Sequence, residues 1–143
     1  DLKTMAAVAA ATTVPVGADE GIHGLADIER HHALGAARGA SLKTIKLGGL
    51  TPVLQAGRRM DELGMYVNLA GKIADSSVAS AAVAHLAAAL PQLDWDASIT
   101  CQYLATDVVT EPIRVVAGHV RVPDRPGLGV SLNRETVEAY RVR

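Results

Sequence analysis

A repeat constrains this sequence more than any other feature: short apolar segments alternate with longer helical stretches. Each strand–helix unit takes roughly 25–30 residues, the size of a βαβ repeat. The spacing of Leu2, Met5 and Val8 predicts a helix over 2–11. Residues 14–18 read as an apolar strand running into Asp19-Glu20, and Leu25, Ile28 and His32 share a helical face within 25–36. A strand is expected over Leu42–Ile45. After Gly48-Gly49, Thr51 is the expected N-cap and Pro52 the first helical residue. Val53, Ala56, Gly57, Met60 and Leu63 form the next stripe, stopped by Gly64. A strand over Met65–Leu69, an alanine-rich helix over 74–90 ended by Pro91, and a fourth strand near Ala97–Thr100 complete the series. Such alternation means a parallel sheet covered by helices. It fits an open doubly wound sheet or part of a (β/α) barrel. A whole barrel needs ~250 residues, so a barrel reading makes this chain a fragment. The opening Asp-Leu-Lys is likewise read as the middle of a longer protein.

From Ile113 the pattern changes. Arg114-Val115-Val116 and Gly118-His119-Val120-Arg121-Val122 read as two short strands with a turn between them, and Arg134–Tyr140 as a last helix. Residues 1–112 and 113–143 are therefore expected to play different roles, the second packing on something outside the repeat. The near-neutral charge, −1 overall, gives no footing for a nucleic-acid partner. Val78–Leu90 is too short for a membrane span and contains His85. The single cysteine, Cys101, cannot form an internal disulfide, in keeping with a reducing compartment.

In parallel α/β architectures functional groups lie at the C-terminal ends of the strands. That rule selects Asp19 and Glu20 after the first strand and Lys43 on the second. It selects Asn68, Gly71 and Lys72 at the third, and Ser98, Thr100 and Gln102 at the fourth. Two carboxylates and a lysine at one mouth suggest a hard-cation site beside a general base. The competing reading is a solvated loop and an ordinary ion pair in a non-catalytic ligand-binding fragment. On a regular strand Lys43 and Lys46 face opposite ways, so at most one points into a barrel. His31-His32 are expected in helix packing or at the surface, and His85 as a hydrogen-bonded packing residue. No zinc motif, phosphate loop or nucleophile elbow is present.

Three stretches carry a resemblance. Val14–Glu20 resembles the strand-5 segment of the mandelate racemase/muconate lactonizing group of the enolase superfamily. Ser41-Leu42-Lys43-Thr44-Ile45-Lys46-Leu47-Gly48-Gly49 resembles its strand-6 segment, and Lys43 follows Asp19 by 24 residues, the spacing of the branch with a strand-6 lysine. Val122–Val130 resembles the family's closing segment. The resemblance implies the C-terminal half of a modified TIM barrel, (β/α)7β, about strands 5–8. The tail would return to an α+β capping domain. It implies Mg²⁺ held by carboxylates including Asp19, with Glu20 beside it. It makes Lys43 an acid/base of lowered pKa acting on the α-proton of a carboxylate through an enediolate. Lys72, Asn68, Ser98 and Thr100 would be substrate-binding. The expected partners are a small carboxylate substrate, the rest of the same polypeptide and further copies in a cytoplasmic homo-oligomer. Ser98 stands where some cycloisomerases carry an acid, and Lys72 where many members have a small polar residue. Both differences lean towards racemase, epimerase or dehydratase chemistry on an amino-acid-like or hydroxy acid, with muconate-type cycloisomerization as the alternative.

Overall fold

The computed structural model describes residues 1–142. The chain divides into two compact units, Asp1–Ala70 with Ala89–Asp96, and Gly71–Ala88 with Ala97–Arg143.

The first unit holds α1 (Leu2–Ala10), β1 (Gly17–Ala18), α2 (Leu25–Ala33), β2 (Gly39–Leu42), a single turn α3 (Thr44–Leu47), α4 (Leu50–Glu62) and β3 (Tyr66–Leu69). The three strands form a parallel sheet in sequential order, β1-β2-β3, as alternation of strand and helix requires. The register pairs Gly17 with Gly39 and Gly39 with Tyr66, then Ala18 with Ala40 and Ala40 with Val67. The ladder reaches beyond the assigned strands, for Arg38 donates to Val16 and accepts from Tyr66. Val14-Pro15 stays outside it, because proline has no donor and Val14 is exposed.

One face of the sheet is the core. Ala18, Ala40, Leu42, Val67 and Leu69 are buried. α4 packs on β2 and β3, and α2 on α4. The stripe Val53, Ala56, Gly57 and Met60 is wholly buried, and a Cβ on Gly57 would lie 2.1 Å from Leu90. Gly64, with φ 63°, closes α4 as expected. Its start differs: Gly49 is the N-cap and the helix begins at Leu50, each two residues before the expected Thr51 cap and Pro52 start. Gly48 and Gly49, with φ 91° and 134°, make the turn between α3 and α4 in left-handed backbone closed to most residues.

The opposite face carries Gly17, Gly39 and Tyr66 in one row, with the Trp95 indole across it. A Cβ on Gly17 would lie 2.8 Å from Trp95; one on Gly39 would lie 2.6 Å from the indole and 2.5 Å from the Tyr66 carbonyl. Tyr66 and Trp95 meet at 5.4 Å between ring centroids. The expected fourth strand at 97–100 is not formed. Its place beside β3 is taken by Trp95-Asp96: Trp95 donates to Val67 and Leu69 donates to Asp96. Asp96 has φ 59°, which kinks the chain, and beyond it only Ala97 is a bridge residue.

The second unit contains α5 (Ser77–Ala89), a 3₁₀ turn at Cys101–Tyr103, the strands β4 (Val115–Val116) and β5 (His119–Val120), and α6 (Arg134–Ala139). β4 and β5 pair antiparallel. Ala117 and Gly118 between them both have positive φ, the type I′ turn that matches strand twist. Asn133 caps α6 through its side chain, as its residue type favours. The Asp107 carboxylate receives the Ser77 N–H at 2.9 Å, so the start of α5 is held from 30 residues away. His85 binds the Leu128 carbonyl, the packing role expected of it. No described helix is long and apolar enough to cross a membrane.

The glycine row yields a test. Gly39→Ala lowers the folding stability of the protein by about 1–3 kcal/mol, because the added methyl meets backbone oxygen as well as indole and cannot be absorbed by one rotamer change. Urea denaturation of the variant with an unshifted midpoint would contradict the close approach.

Candidate active site

β1 and β2 are adjacent and parallel, so the segments leaving their C-terminal ends are neighbours. Asp19 and Glu20 leave β1. Lys43 leaves β2 and is the residue before α3, not a mid-strand residue as expected: β2 ends at Leu42, and 44–47 coil into one helical turn. The strand begins earlier than expected because Gly39, Ala40 and Ser41 pair with β3 despite weak strand propensity.

That turn changes the disposition of the lysines. Residues three apart on a helical turn share a face, so Lys43 and Lys46 converge instead of diverging. Lys43 Nζ lies 2.8 Å from Asp19 Oδ1 and 2.5 Å from Glu20 Oε1. Lys46 Nζ lies 2.5 Å from Glu20 Oε2 and 3.4 Å from the Asp19 carbonyl oxygen. Both lysine side chains are 13% exposed, against 55% for Asp19 and 74% for Glu20. Glu20 therefore spends one oxygen on each lysine, whereas Asp19 meets Lys43 through Oδ1. Hydrogen bonds from Lys43 and then Lys46 pull the Glu20 carboxyl from its usual 4.5 to about 2. Hydrogen bonds to Asp19 and Glu20 push the Lys43 ammonium above its usual 10.5. That is opposite in direction to the lowered pKa expected of an acid/base lysine, because two carboxylates face it.

The remaining candidates have defined places. Asn68 lies on β3 opposite Ser41 and accepts from its hydroxyl at 3.0 Å. Its Nδ2 donates to the carbonyls of Trp95 and Asp96 at 2.8 and 2.9 Å. The other three lie in the second unit. Lys72 has an exposed side chain, its N–H donates to Asp75 Oδ2 at 2.7 Å, and its carbonyl accepts from the Thr100 hydroxyl. Thr100 Oγ1 also receives the Asp75 N–H at 3.2 Å, so this buried threonine braces the loop that carries Lys72. Ser98 is exposed, and its carbonyl lies where a Cβ on Gly71 would be 2.8 Å away.

Two site residues escaped the sequence reading. Lys46 was hidden by the assumption of a continuing strand, although Gly48-Gly49 was the available sign that the chain turns. Ser41 is two residues before Lys43, and period-two alternation puts both on one face.

Among the described residues no three of His, Cys, Asp and Glu come together as a metal cluster. Asp19 has the donor chemistry for Mg²⁺, a half-exposed carboxylate with one oxygen turned to a lysine. It fits as one ligand of a site completed by others. Glu20, with both oxygens engaged by ammonium groups, fits a tether for the lysines.

The Glu20 bridge sets a pH window. A carboxyl lowered on folding contributes stability at pH above 4.5 that is lost as pH falls through about 2. Water and salt screen so exposed a group, so the effect is strongest at low ionic strength. A ¹³C NMR titration of Glu20 places its midpoint near 2 in the native protein, and Lys43→Met or Lys46→Met moves it back towards 4.5. A midpoint unchanged in both variants would rule out the bridge.

Comparison with known proteins identifies the family of the fold. The family model described as "Enolase C-terminal domain-like" matches residues 1–136. Muconate cycloisomerase 1 of Rhodococcus opacus is 32% identical over 140 residues, covering 97% of this chain and 37% of that protein. o-Succinylbenzoate synthase of Bacillus subtilis is 32% identical over 124 residues, covering 85% of this chain and 33% of its own length. The crystal structure of 2-chloromuconate cycloisomerase from Rhodococcus opacus 1CP superimposes with TM-score 0.94 at 26% identity, over 100% of this chain and 39% of that one. The chain thus spans little more than a third of the relatives it matches, and the parallel strand–helix units are those of a barrel's C-terminal part. With the carboxylate and lysine at adjacent strand ends and the match running through 136 residues, the chain belongs to the enolase C-terminal domain-like family, in the mandelate racemase/muconate lactonizing group of the enolase superfamily.

Proposed function

We propose that this chain supplies one side of a Mg²⁺-dependent site that removes the α-proton of a carboxylate substrate, with Lys43 transferring the proton and Asp19 contributing one metal ligand. The observation that carries this reading is the 2.8 Å approach of Lys43 Nζ to Asp19 at the C-terminal ends of neighbouring parallel strands. The remaining ligands and a second acid/base are assigned to parts of the same polypeptide outside these 143 residues.

The chain's own residues account for the acid/base half of the chemistry. Glu20, itself held by Lys46, pairs with Lys43, so the Lys43 head group is aimed and not free to sweep solvent. Proton abstraction needs Lys43 Nζ as the neutral amine, which takes the α-proton, and the ammonium so formed gives it back to carbon or to a leaving group. When bound, Mg²⁺ supplies positive charge that offsets the Asp19 carboxylate and stabilises the enediolate. Asn68 is assigned to the substrate wall beside Lys43; in the second unit, Lys72 lies on a loop that Thr100 braces, and it and Ser98 keep a substrate-binding assignment of their own. The favoured reactions are racemization, epimerization or dehydration of an amino-acid-like or hydroxy acid. Muconate-type cycloisomerization is the second reading, favoured by the likeness to muconate cycloisomerase 1. Residues 113–143 are assigned to packing against a capping domain, in a cytoplasmic homo-oligomer.

Two variants of the complete protein test this. Asp19→Asn weakens Mg²⁺ binding measured by calorimetry and leaves the melting temperature nearly unchanged; unaltered affinity removes Asp19 from the metal site. Lys43→Ala lowers kcat for α-proton exchange in D₂O at least ~10²-fold, with substrate binding kept. Turnover close to that of the parent protein would overturn the mechanism.

A further inference from the structure

We infer that the Ser41–Asn68 pair is an acceptor-only element in the substrate site, and that it selects carboxylates carrying an N–H or O–H donor a few bonds from the reacting carbon. The inference rests on the proposed function for where substrate lies; the polarity of the pair follows from the hydrogen bonds themselves.

On β2, Gly39, Ser41 and Lys43 follow one another at two-residue steps along the face away from α4, and Ala40 and Leu42 are buried on the other. Gly39 is covered by the Trp95 indole. Lys43 is engaged with Asp19 and Glu20. Ser41, half-buried, is the polar group between them, about 7 Å along the strand from Lys43.

The direction of every hydrogen bond at this pair is determined. Asn68 Nδ2 lies 2.8 Å from the Trp95 carbonyl and 2.9 Å from the Asp96 carbonyl, and both are acceptors only. The nitrogen must therefore point to them, and both of its hydrogens are used. Oδ1 then faces Ser41, and Oδ1 cannot donate. The Ser41 hydroxyl must give its hydrogen to Asn68, at 3.0 Å. What remains is lone pairs: those of Ser41 Oγ and the second pair on Asn68 Oδ1. Asn68 is locked because reversing its amide would set Oδ1 against two carbonyl oxygens and take from the Trp95 carbonyl its Asn68 donor.

A substrate group placed against such a surface gains if it donates and loses if it presents another acceptor. An amide N–H or hydroxyl on the substituent of the α-carbon satisfies it. A second carboxylate or an ester oxygen does not. This favours amino-acid-derived and hydroxy acids over unsaturated diacids.

The test uses N-acetylalanine and O-acetyl-lactate, which differ at one position, N–H against O, with the complete Mg²⁺-loaded protein. Calorimetric binding and α-proton exchange in D₂O are both measured. The amide is expected to bind at least ~10-fold more tightly than the ester, as expected of a site built around a substrate donor. Ser41→Ala reduces that ratio to about 2 or less by weakening the amide alone, and Ser41→Thr, which keeps the hydroxyl, restores it. Equal binding of the two probes, a ratio that survives in Ser41→Ala, or no binding of either overturns the inference. Exchange without a donor preference removes the inference and leaves the proposed function standing. Donor-dependent binding without any exchange does the reverse.

Discussion

The parallel register of β1, β2 and β3 is the constraint from which the site follows. Pairing Gly17 with Gly39 and Gly39 with Tyr66 makes one row of small and aromatic residues. One step on, Ala18, Ala40 and Val67 turn to the opposite face and enter the core. Side chains alternate, so the next row on the first face begins with Ser41 and Asn68, and Lys43 stands beyond it. A slip of one residue in β2 would exchange Ala40 and Leu42 for Ser41 and Lys43 under α4. Burying an ammonium there costs far more than the core gains, so the register is strongly specified.

Trp95 stabilises that arrangement from the other side. Its ring lies against two glycines because no other residue leaves room for it, and the Tyr66 ring tilts against it. The segment that carries it adds to β3 for only two residues. Asp96 then has positive φ, and the Asn68 amide donates to the Trp95 carbonyl and shares the Asp96 carbonyl with the Leu69 N–H. The irregularity at the edge of the ladder and the fixed polarity of Asn68 therefore meet at the same two carbonyls.

The charge cluster has a different logic. Four ionisable side chains, two of each sign, converge at two strand ends, with the lysines more buried than the carboxylates. Long ammonium side chains lie along apolar surface and bring their heads to exposed acids, which avoids a buried uncompensated charge. Glu20 is shared by two cations and Asp19 is turned to one. This unequal sharing separates a tether from a carboxylate with coordinating capacity left.

The amino-acid sequence by itself determined the strand–helix alternation, the core stripe of α4 with its Gly64 stop, the 115–120 hairpin, the 134–139 helix and the Asp19–Lys43 pair. Each of these is local: apolar period, capping and turn chemistry act within a few residues, and the pair follows from the rule that loops leaving parallel strands share one end. The tertiary structure alone decided the rest. Gly-Ala-Ser became β2 because two neighbours offered it a ladder, not because its residues favour extension. The chain then turned after Leu42, and Lys46 swung onto the face of Lys43. Asp107 capped a helix begun 30 residues earlier, and Asp96 cut short the strand foreseen at 97–100. Periodicity reports which way a side chain points within an element. It carries no information about which distant backbone group will claim a hydrogen bond, and those claims are what fixed the polarity of this site.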